Sequence, residues 1–221
     1  MTSTWGRAVP SGVDPAGPPE QRLGGLAGGI LEGMPRFQIA QDPAADAVLG
    51  EDPFALLCGM LLDQQVPMEV AFAGPAKILE RFGTLDPAAI AAADAGEFAA
   101  LCAQRPAVHR FPGSMAARVQ SLAAVVAQEY GGDASRIWTQ ARDGADLVRR
   151  LEALPGFGAA KARIFGALVG KQLGIQPPGW EEATTPYGEP GAYRSVADVV
   201  DAESLLKVRA TKKAAKAAAR G

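Results

Sequence analysis

The sequence has few residues that could hold a metal ion. Cysteine occurs only as Cys58 and Cys102, and histidine only as His109. Their spacing matches no familiar metal-binding pattern, and two cysteines cannot supply the four thiolates of an iron–sulfur cluster. We therefore expect two buried free thiols in a reducing compartment and no such cluster.

Long apolar runs and an overall positive charge are also missing. No run of about 18 apolar residues is present to span a membrane, and residues 1–35 lack the apolar core of a signal peptide. The formal net charge of −2 argues against a strongly basic nucleic-acid-binding protein. Charge is nevertheless uneven, because no acidic residue follows Glu203 while basic residues continue to Arg220.

Aromatic residues make up only 6% of the chain, whereas apolar residues reach 48% and alanine dominates many segments. This composition favours helices over sheet. Helix starts are indicated where aspartate precedes proline, at Asp42–Pro43, Asp52–Pro53 and Asp86–Pro87. Pro75 predicts a break or kink within the segment 68–82. The sequence therefore predicts an all-α fold.

The most informative stretch is residues 154–162, which reads Leu-Pro-Gly-Phe-Gly-Ala-Ala-Lys-Ala. Apolar residues recur at helical spacing on both sides, which predicts two amphipathic helices joined by a short turn. Pro155 ends the first helix, and Gly156 and Gly158 permit backbone angles or close approaches that a Cβ would block. The second helix starts near Gly158, so its first unpaired amides would face outward toward an anion.

This string resembles the hairpin of the helix-hairpin-helix (HhH-GPD) DNA glycosylases, a superfamily that includes endonuclease III and 3-methyladenine DNA glycosylase II. In that family the hairpin amides bind a DNA phosphate, commonly with a monovalent cation held by hairpin carbonyls. The resemblance implies that Gly156, Phe157 and Gly158 contact the DNA backbone, with Phe157 between the two helices and Lys161 and Arg163 adding charge. The residues alone leave open an ordinary tight turn between helices.

A second motif, Asp63-Gln64-Gln65, ends the apolar helix that starts at Pro53. By itself it indicates the exposed end of a helix. In the resembled family a similar glutamine-containing segment stands at the mouth of the active site. The resemblance places Gln65 in the space left by a flipped nucleotide and Gln64 at the base pocket, where an amide can donate and accept. Asp63 falls in the same region but has no counterpart in the family's pattern.

The loop 105–113 contains the only histidine, flanked by arginine and an aromatic residue. One interpretation is a solvated loop whose Phe111 tucks under the next helix. In the resembled family this connection faces DNA and can push a side chain into the base stack. His109, Arg110 and Phe111 are the candidates for that role, and nothing local orients His109 as a general base.

The family's catalytic carboxylate has no direct match. Most members supply an aspartate about twenty residues beyond the second hairpin glycine, where it stabilises the positive charge that develops on the sugar. This sequence has none there, so Glu181 and Glu182 are the candidates, with Trp180 and Tyr187 as a stacking wall. A solvated, proline-rich surface loop is the alternative for this segment.

Members that also cleave the strand place a lysine two positions after the second glycine, where it forms a Schiff base. The matching position here is Ala160, and Lys161 comes one residue later. One residue on a helix is a rotation of about 100°, so Lys161 should point elsewhere, toward a phosphate. We expect no strong lyase activity.

The resemblance implies a two-subdomain glycosylase fold over residues 35–213, with the pocket between the subdomains. Its parts would be a central subdomain (53–140), the hairpin helices (143–173) and a terminal subdomain (35–50 with 192–213). Residues 1–34 are predicted to be a disordered extension, and 214–221 a basic tail that is either solvated or in contact with phosphates.

The implied function is base excision repair by a monofunctional DNA glycosylase, a hydrolase that flips out a damaged or mispaired base of double-stranded DNA. The alternative is a non-catalytic DNA-binding relative that keeps the hairpin and has lost the aspartate. We expect no cofactor beyond the monovalent cation. A cytoplasmic location is expected, with nucleoid association if the protein is bacterial.

Overall fold

The computed structural model describes residues 37–218, and these contain helices and no strand. The prediction of an all-α fold is therefore confirmed. The extension predicted at 1–34 lies outside the described residues, as does the end of the basic tail from 219 onward. The helices are α1 (Pro43–Glu51), α2 (Pro53–Leu62), α3 (Met68–Phe72), α4 (Gly74–Phe82), α5 (Pro87–Ala92), α6 (Ala95–Ala103), α7 (Pro112–Tyr130), α8 (Arg136–Thr139), α9 (Gly144–Glu152), α10 (Ala159–Gln172), α11 (Trp180–Thr184) and α12 (Ala202–Ala218), with a 3₁₀ helix at Val196–Asp198.

The predicted helix starts are confirmed by their caps. Asp42, Asp52 and Asp86 each accept hydrogen bonds from amides of the first turn, and a proline stands at the start of each helix. Pro75 also acts as predicted, because it lies in the first turn of α4 and divides the segment into α3 and α4. These boundaries are local properties of the chain, which is why the sequence predicts them.

Helix α2 lies at the centre of the fold, and every residue from Phe54 to Leu62 is buried. A helix that is apolar on all sides must be enclosed by other elements, and α1, α3, α4 and α7 pack around it. Helix α3 approaches closely at Gly59, where an added Cβ would lie 2.5 Å from the Phe72 ring. At the C-terminal end of α2 the chain reaches the surface, where Asp63 and Gln64 are half-buried and Gln65 is exposed.

The other helices complete a continuous core. Helix α7 buries a stripe of apolar residues and ends at Gly131 with a φ of +63°. Cys58 and Cys102 are buried free thiols, as predicted, and burial raises the pKa of both, to about 11 for Cys102.

The described residues fall within one compact unit. The division into subdomains and the pocket between them stay predictions.

None of the helices in residues 37–218 has the length and apolarity needed to cross a lipid bilayer.

Candidate nucleic-acid interface

The hairpin joins α9 to α10 through residues 153–158. The Phe157 amide donates to the Leu154 carbonyl at 3.0 Å, which closes the turn, and Gly156 has a φ of +81°. Phe157 is buried edge-on against Phe165 of α10, with ring centroids 5.9 Å apart. The hairpin thus has a rigid apolar side and an exposed backbone side.

The exposed side presents free amides. Gly158 precedes α10 without a side-chain cap, and the amides of Gly158, Ala159 and Ala160 find no acceptor among residues 37–218. The resemblance assigned Gly156, Phe157 and Gly158 to the phosphate. Of these, Phe157 does not offer its amide to a ligand, because that amide already donates within the turn. Among the described residues nothing lies within 4 Å of a Cβ added at Gly158, so this backbone is open to a ligand. Unpaired amides at a helix N-terminus favour a phosphate.

The hairpin packs directly against the C-terminal end of α2. A Cβ added at Gly156 would lie 2.4 Å from Cδ1 of Leu61, so only glycine permits this approach. The two motifs that the sequence singled out, the glutamine segment and the hairpin, are therefore neighbours in the fold.

Lys161 connects the same two elements. Its ammonium group donates to the carbonyls of Met60 at 2.6 Å and Leu61 at 2.8 Å, across 101 and 100 residues of sequence. It thereby satisfies carbonyls at the negative end of α2. From the sequence we expected Lys161 to point toward a phosphate. The side chain points instead at the end of α2. Arg163 of α10 is exposed.

Burial lowers the pKa of Lys161 to about 8. The Asp63 carboxylate nearby acts against this shift, and Arg118 adds to it.

Gln64 is fixed by its neighbours, whereas Gln65 projects outward. The Gln64 amide nitrogen donates to the Leu61 carbonyl at 2.7 Å, and Arg118 of α7 donates to its oxygen at 3.0 Å. Gln65 is exposed with a φ of +58°, a conformation that is uncommon for a residue with a side chain. In the turn after α2, the side-chain amide of Gln64 is thus held in place, whereas that of Gln65 is exposed to solvent.

The loop before α7 is attached to this turn through His109. The His109 ring is buried, and its Nε2 donates to the Gln64 carbonyl at 2.9 Å while its Nδ1 accepts from the Phe111 amide at 3.1 Å. Both ring nitrogens are engaged, so His109 acts as a bridge within the structure. Phe111 remains 43% exposed, with the Arg110 guanidinium 4.7 Å from its ring centroid. This exposed pair fits the predicted DNA-facing role, which stays a prediction.

Asp63 forms the C-cap of α2, beside Gln64 and close to Lys161. Burial raises the pKa of its carboxyl. The nearby ammonium groups of Lys212 and Lys161 act in the opposite direction, and Glu69 adds to the rise.

The segment predicted to carry the catalytic acid lies elsewhere. The Trp180 indole is buried, donates from Nε1 to the Gly166 carbonyl at 2.8 Å, and packs on Gly170. Gly170 is about 14 Å along α10 from Lys161, at 1.5 Å per residue. Glu181 and Glu182 are exposed in the first turn of α11, which packs on α9 and α10.

Trp180 is therefore an enclosed core residue and not an open stacking wall. Gly166 and Gly170, one helical turn apart in an apolar helix, form the groove that receives the indole. This glycine pair is the signal in the sequence that could have indicated the burial of Trp180, but the prediction of a stacking wall did not use it. Tyr187 follows α11 and is half-buried there, so this group is not brought to the turn after α2. The catalytic role of Glu181 and Glu182 stays a prediction.

Arg118 and Lys212 belong to the site but were not identified from the sequence. Arg118 is one exposed arginine on α7, and Lys212 is one of several lysines on α12. No motif distinguishes either residue, and only packing places them beside Gln64 and Asp63.

These features define a helix-hairpin-helix protein. Two packed helices are joined by a glycine turn with free amides, and a polar helix end lies beside that turn. Such a hairpin presents its backbone to a nucleic-acid phosphate. A scan against protein-family models matches residues 58–220 to the HhH-GPD superfamily of base excision DNA repair proteins. The chain belongs to this family, whose substrate is DNA. No curated protein and no solved structure gave a significant match.

Proposed function

We propose that this family member is a monofunctional DNA N-glycosylase that flips a damaged or mispaired base out of the duplex and hydrolyses its N-glycosidic bond. The observation that supports this most is the packing of the hairpin against the end of α2. The amides of Gly158, Ala159 and Ala160 and the exposed Gln65 lie on elements joined by Lys161. A DNA duplex whose phosphate is bound at the hairpin would therefore lie beside the turn that carries Gln64 and Gln65.

Each part has a distinct task in this proposal. The hairpin amides bind a backbone phosphate, which fixes the register of the duplex without reading sequence. Gln65 enters the space that the flipped nucleotide leaves, and Phe111 with Arg110 contacts the opposite strand. Gln64, whose side-chain amide is oriented by Leu61, Met115 and Arg118, presents the remaining acceptor position of its side-chain oxygen to a base edge.

The absence of lyase chemistry is supported by the residues at the hairpin. Ala160 has no amine, and the Lys161 ammonium donates to two backbone carbonyls. A Schiff base at Lys161 would require both hydrogen bonds to break. Water is therefore the nucleophile in this proposal, and an abasic site is the product.

A monovalent cation fits the hairpin by donor chemistry. The carbonyls of Gly156 and Phe157 accept no hydrogen bond from residues 37–218, and carbonyl oxygens are suitable ligands for such an ion. The cation would add positive charge where the phosphate binds. Across residues 37–218 there is no cluster of three or more His, Cys, Asp or Glu side chains able to hold a metal ion.

The test is release of a free base from a panel of labelled duplexes. Each duplex holds one uracil, 5-hydroxymethyluracil, alkylated purine, oxidised purine or mismatch, and strand cleavage is measured with and without alkali. We expect release from at least one duplex, with cleavage only after alkali. Cleavage without alkali, together with borohydride trapping that disappears in Lys161→Met, would show a lyase instead.

A second candidate function, non-catalytic DNA binding, is favoured by one observation. The family's aspartate position falls in a stretch that here reads Gln176-Pro177-Pro178. Binding that depends on the hairpin, with no base release from any duplex in the panel, would support this candidate and contradict the glycosylase proposal.

A further inference from the structure

Asp63 differs from every other aspartate in residues 37–218. Each of the others accepts at least one hydrogen bond, as a helix cap, a loop anchor or a salt-bridge partner: Asp42, Asp46, Asp52, Asp86, Asp94, Asp133, Asp143, Asp146, Asp198 and Asp201. Within the same residues, neither oxygen of Asp63 has a hydrogen-bond donor or a salt-bridge partner. A half-buried carboxylate that accepts no hydrogen bond from these residues is available to a ligand.

We propose that Asp63 is the carboxylate that stabilises the cationic sugar and activates water in this protein, in place of the aspartate that the family carries after its hairpin. This inference rests on the proposed glycosylase function and assigns its central residue. It moves the catalytic acid from the segment that follows the hairpin helices to the C-cap of α2.

The position of Asp63 supports this assignment. Asp63 immediately precedes Gln64 and Gln65, the residues assigned to the extruded nucleotide, and it lies at the end of α2 against which the hairpin packs. A nucleotide extruded toward Gln64 would bring its sugar close to the neighbouring side chain. Glu181 and Glu182 lie instead on the exposed first turn of α11, which packs on the distal part of α10 through Trp180.

The surroundings suit a carboxylate that must remain charged without being neutralised by a salt bridge. Burial raises the pKa of Asp63, whereas the charges of Lys212 of α12 and Lys161 of α10 favour its ionised form and Glu69 of α3 opposes them. The Lys161 ammonium donates to two α2 carbonyls and not to Asp63, so it holds the helix end in place without forming a salt bridge to that carboxylate. Lys161 is a positioning residue in this proposal.

The chemical step balances with water as the only co-reactant. As the bond between C1′ and the base nitrogen breaks, its electron pair leaves with the base, and positive charge develops on the sugar beside Asp63. An Asp63 oxygen accepts a proton from water, and the water oxygen forms the new bond to C1′. The departing base takes a proton from solvent, and Asp63 later returns its proton to solvent. The products are an abasic site and a free base.

The first test needs no knowledge of the substrate base. Two otherwise identical duplexes carry one abasic analogue, either a cationic pyrrolidine or a neutral tetrahydrofuran, and their affinities are measured by fluorescence anisotropy at neutral pH. We expect the wild-type protein to prefer the cation by about tenfold or more, because such analogues resemble the charged transition state. Asp63→Asn should lose this preference.

Asp52→Asn is the matched control. Asp52 lies at the opposite end of α2, its carboxylate is also half-buried, and asparagine caps a helix as well as aspartate does. We expect this variant to keep the wild-type preference. Circular dichroism of both variants verifies the fold.

The second test is single-turnover base release on the duplex that the panel identifies. Asp63→Asn should slow release by about 100-fold or more, a loss typical of one electrostatic contact to a transition state. Its neutral side chain should also remove the fall in rate that wild type shows as acid protonates Asp63.

Several results would overturn the inference. It fails if the wild type shows no preference for the cation, if Asp63→Asn keeps that preference, or if Glu181→Gln or Glu182→Gln removes it while Asp63→Asn does not. Failure of the proposed function is a separate result, because a cation preference that depends on Asp63 without any base release would contradict the glycosylase activity and leave the charge-stabilising site in place.

Discussion

At the scale of the residue, Asp63 is held in the native state at a cost in stability. Burial raises the pKa of its carboxyl above the ordinary value despite two lysines nearby. As pH rises, the unfolded chain therefore loses this proton before the folded one does, and the ionised group lowers the free energy of unfolding at neutral pH. A side chain retained at such a cost is a candidate for function.

This cost gives a prediction for stability. Asp63→Asn should raise the melting temperature at pH 7, because asparagine removes the half-buried charge. The difference from wild type should shrink as pH falls through the raised pKa of Asp63 and vanish where wild-type Asp63 is protonated. Thermal unfolding of both proteins as a function of pH measures this.

Asp201→Asn is the control, because the pKa of Asp201 is shifted in the opposite direction to that of Asp63. Hydrogen bonds from Ser204 lower the pKa of Asp201, so its ionised form stabilises the fold above the unfolded pKa and this contribution is lost as pH falls. The variant should melt at a lower temperature than wild type at pH 7. A lower melting temperature for Asp63→Asn at pH 7 would contradict our account of Asp63.

At the scale of the element, the contact between α2 and the hairpin assigns different tasks to the two hairpin glycines. Gly156 combines a positive φ with an approach to Leu61 that leaves no room for a Cβ. Gly158 has an ordinary φ of −97° and open space in front of it. The first glycine is required by packing, whereas the second leaves the amides accessible.

Alanine at each position separates these tasks. Gly156→Ala should cost about 1–2 kcal/mol from its left-handed conformation alone, which corresponds to about 2–8 °C in melting temperature for a chain of this size. Gly158→Ala should melt close to wild type, yet bind duplex DNA about fivefold more weakly, because its methyl group would stand in front of amides that hydrogen-bond a phosphate. Calorimetry and anisotropy measure the two quantities. Wild-type DNA affinity in a folded Gly158→Ala protein would contradict phosphate binding at these amides.

At the scale of the whole molecule, positive charge is concentrated on the C-terminal helix α12 and is not spread evenly over the chain. The net charge is −2, yet α12 carries Lys212, Lys213 and Lys216 without an acidic residue after Glu203. Lys213 and Lys216 are exposed, three positions apart, and form no salt bridge within residues 37–218. Residues at this spacing share one face of a helix. Because the charge of Lys212 on the same helix acts to lower the pKa of Asp63, α12 brings its lysines to the neighbourhood of the site.

This arrangement predicts how salt affects DNA binding. If Lys213 and Lys216 contact phosphates, the double variant Lys213→Gln with Lys216→Gln should bind duplex DNA more weakly. The slope of log affinity against log salt concentration should fall by about 0.9 for each phosphate that a lysine no longer neutralises. Titrations over a range of salt concentrations measure the slope. An unchanged slope would show that the end of α12 is only a solvated helix end.

Much of the fold could be predicted because its signals are local. Aspartate before proline starts α1, α2 and α5, and Pro155 with Gly156 makes the hairpin turn. A cap or a turn depends on the φ angles and hydrogen bonds of adjacent residues. The helical periodicity of apolar residues then decides which face of each helix is buried.

The site was predicted less well than the fold. The sequence singled out the hairpin and the glutamine segment, but it placed Trp180 at the site and left Asp63 without a role. Trp180 is enclosed by Gly166 and Gly170, and Lys161 reaches two carbonyls of α2. Neither outcome follows from the spacing of neighbouring residues.

The sequence by itself therefore determined where helices begin and where the chain reverses. These properties depend on interactions between residues a few positions apart. Only the tertiary structure decided that the hairpin meets the end of α2, that Lys161 caps this end, and that Asp63 finds no hydrogen-bond donor among residues 37–218. Those contacts join residues about a hundred positions apart, and they depend on how whole helices pack around α2.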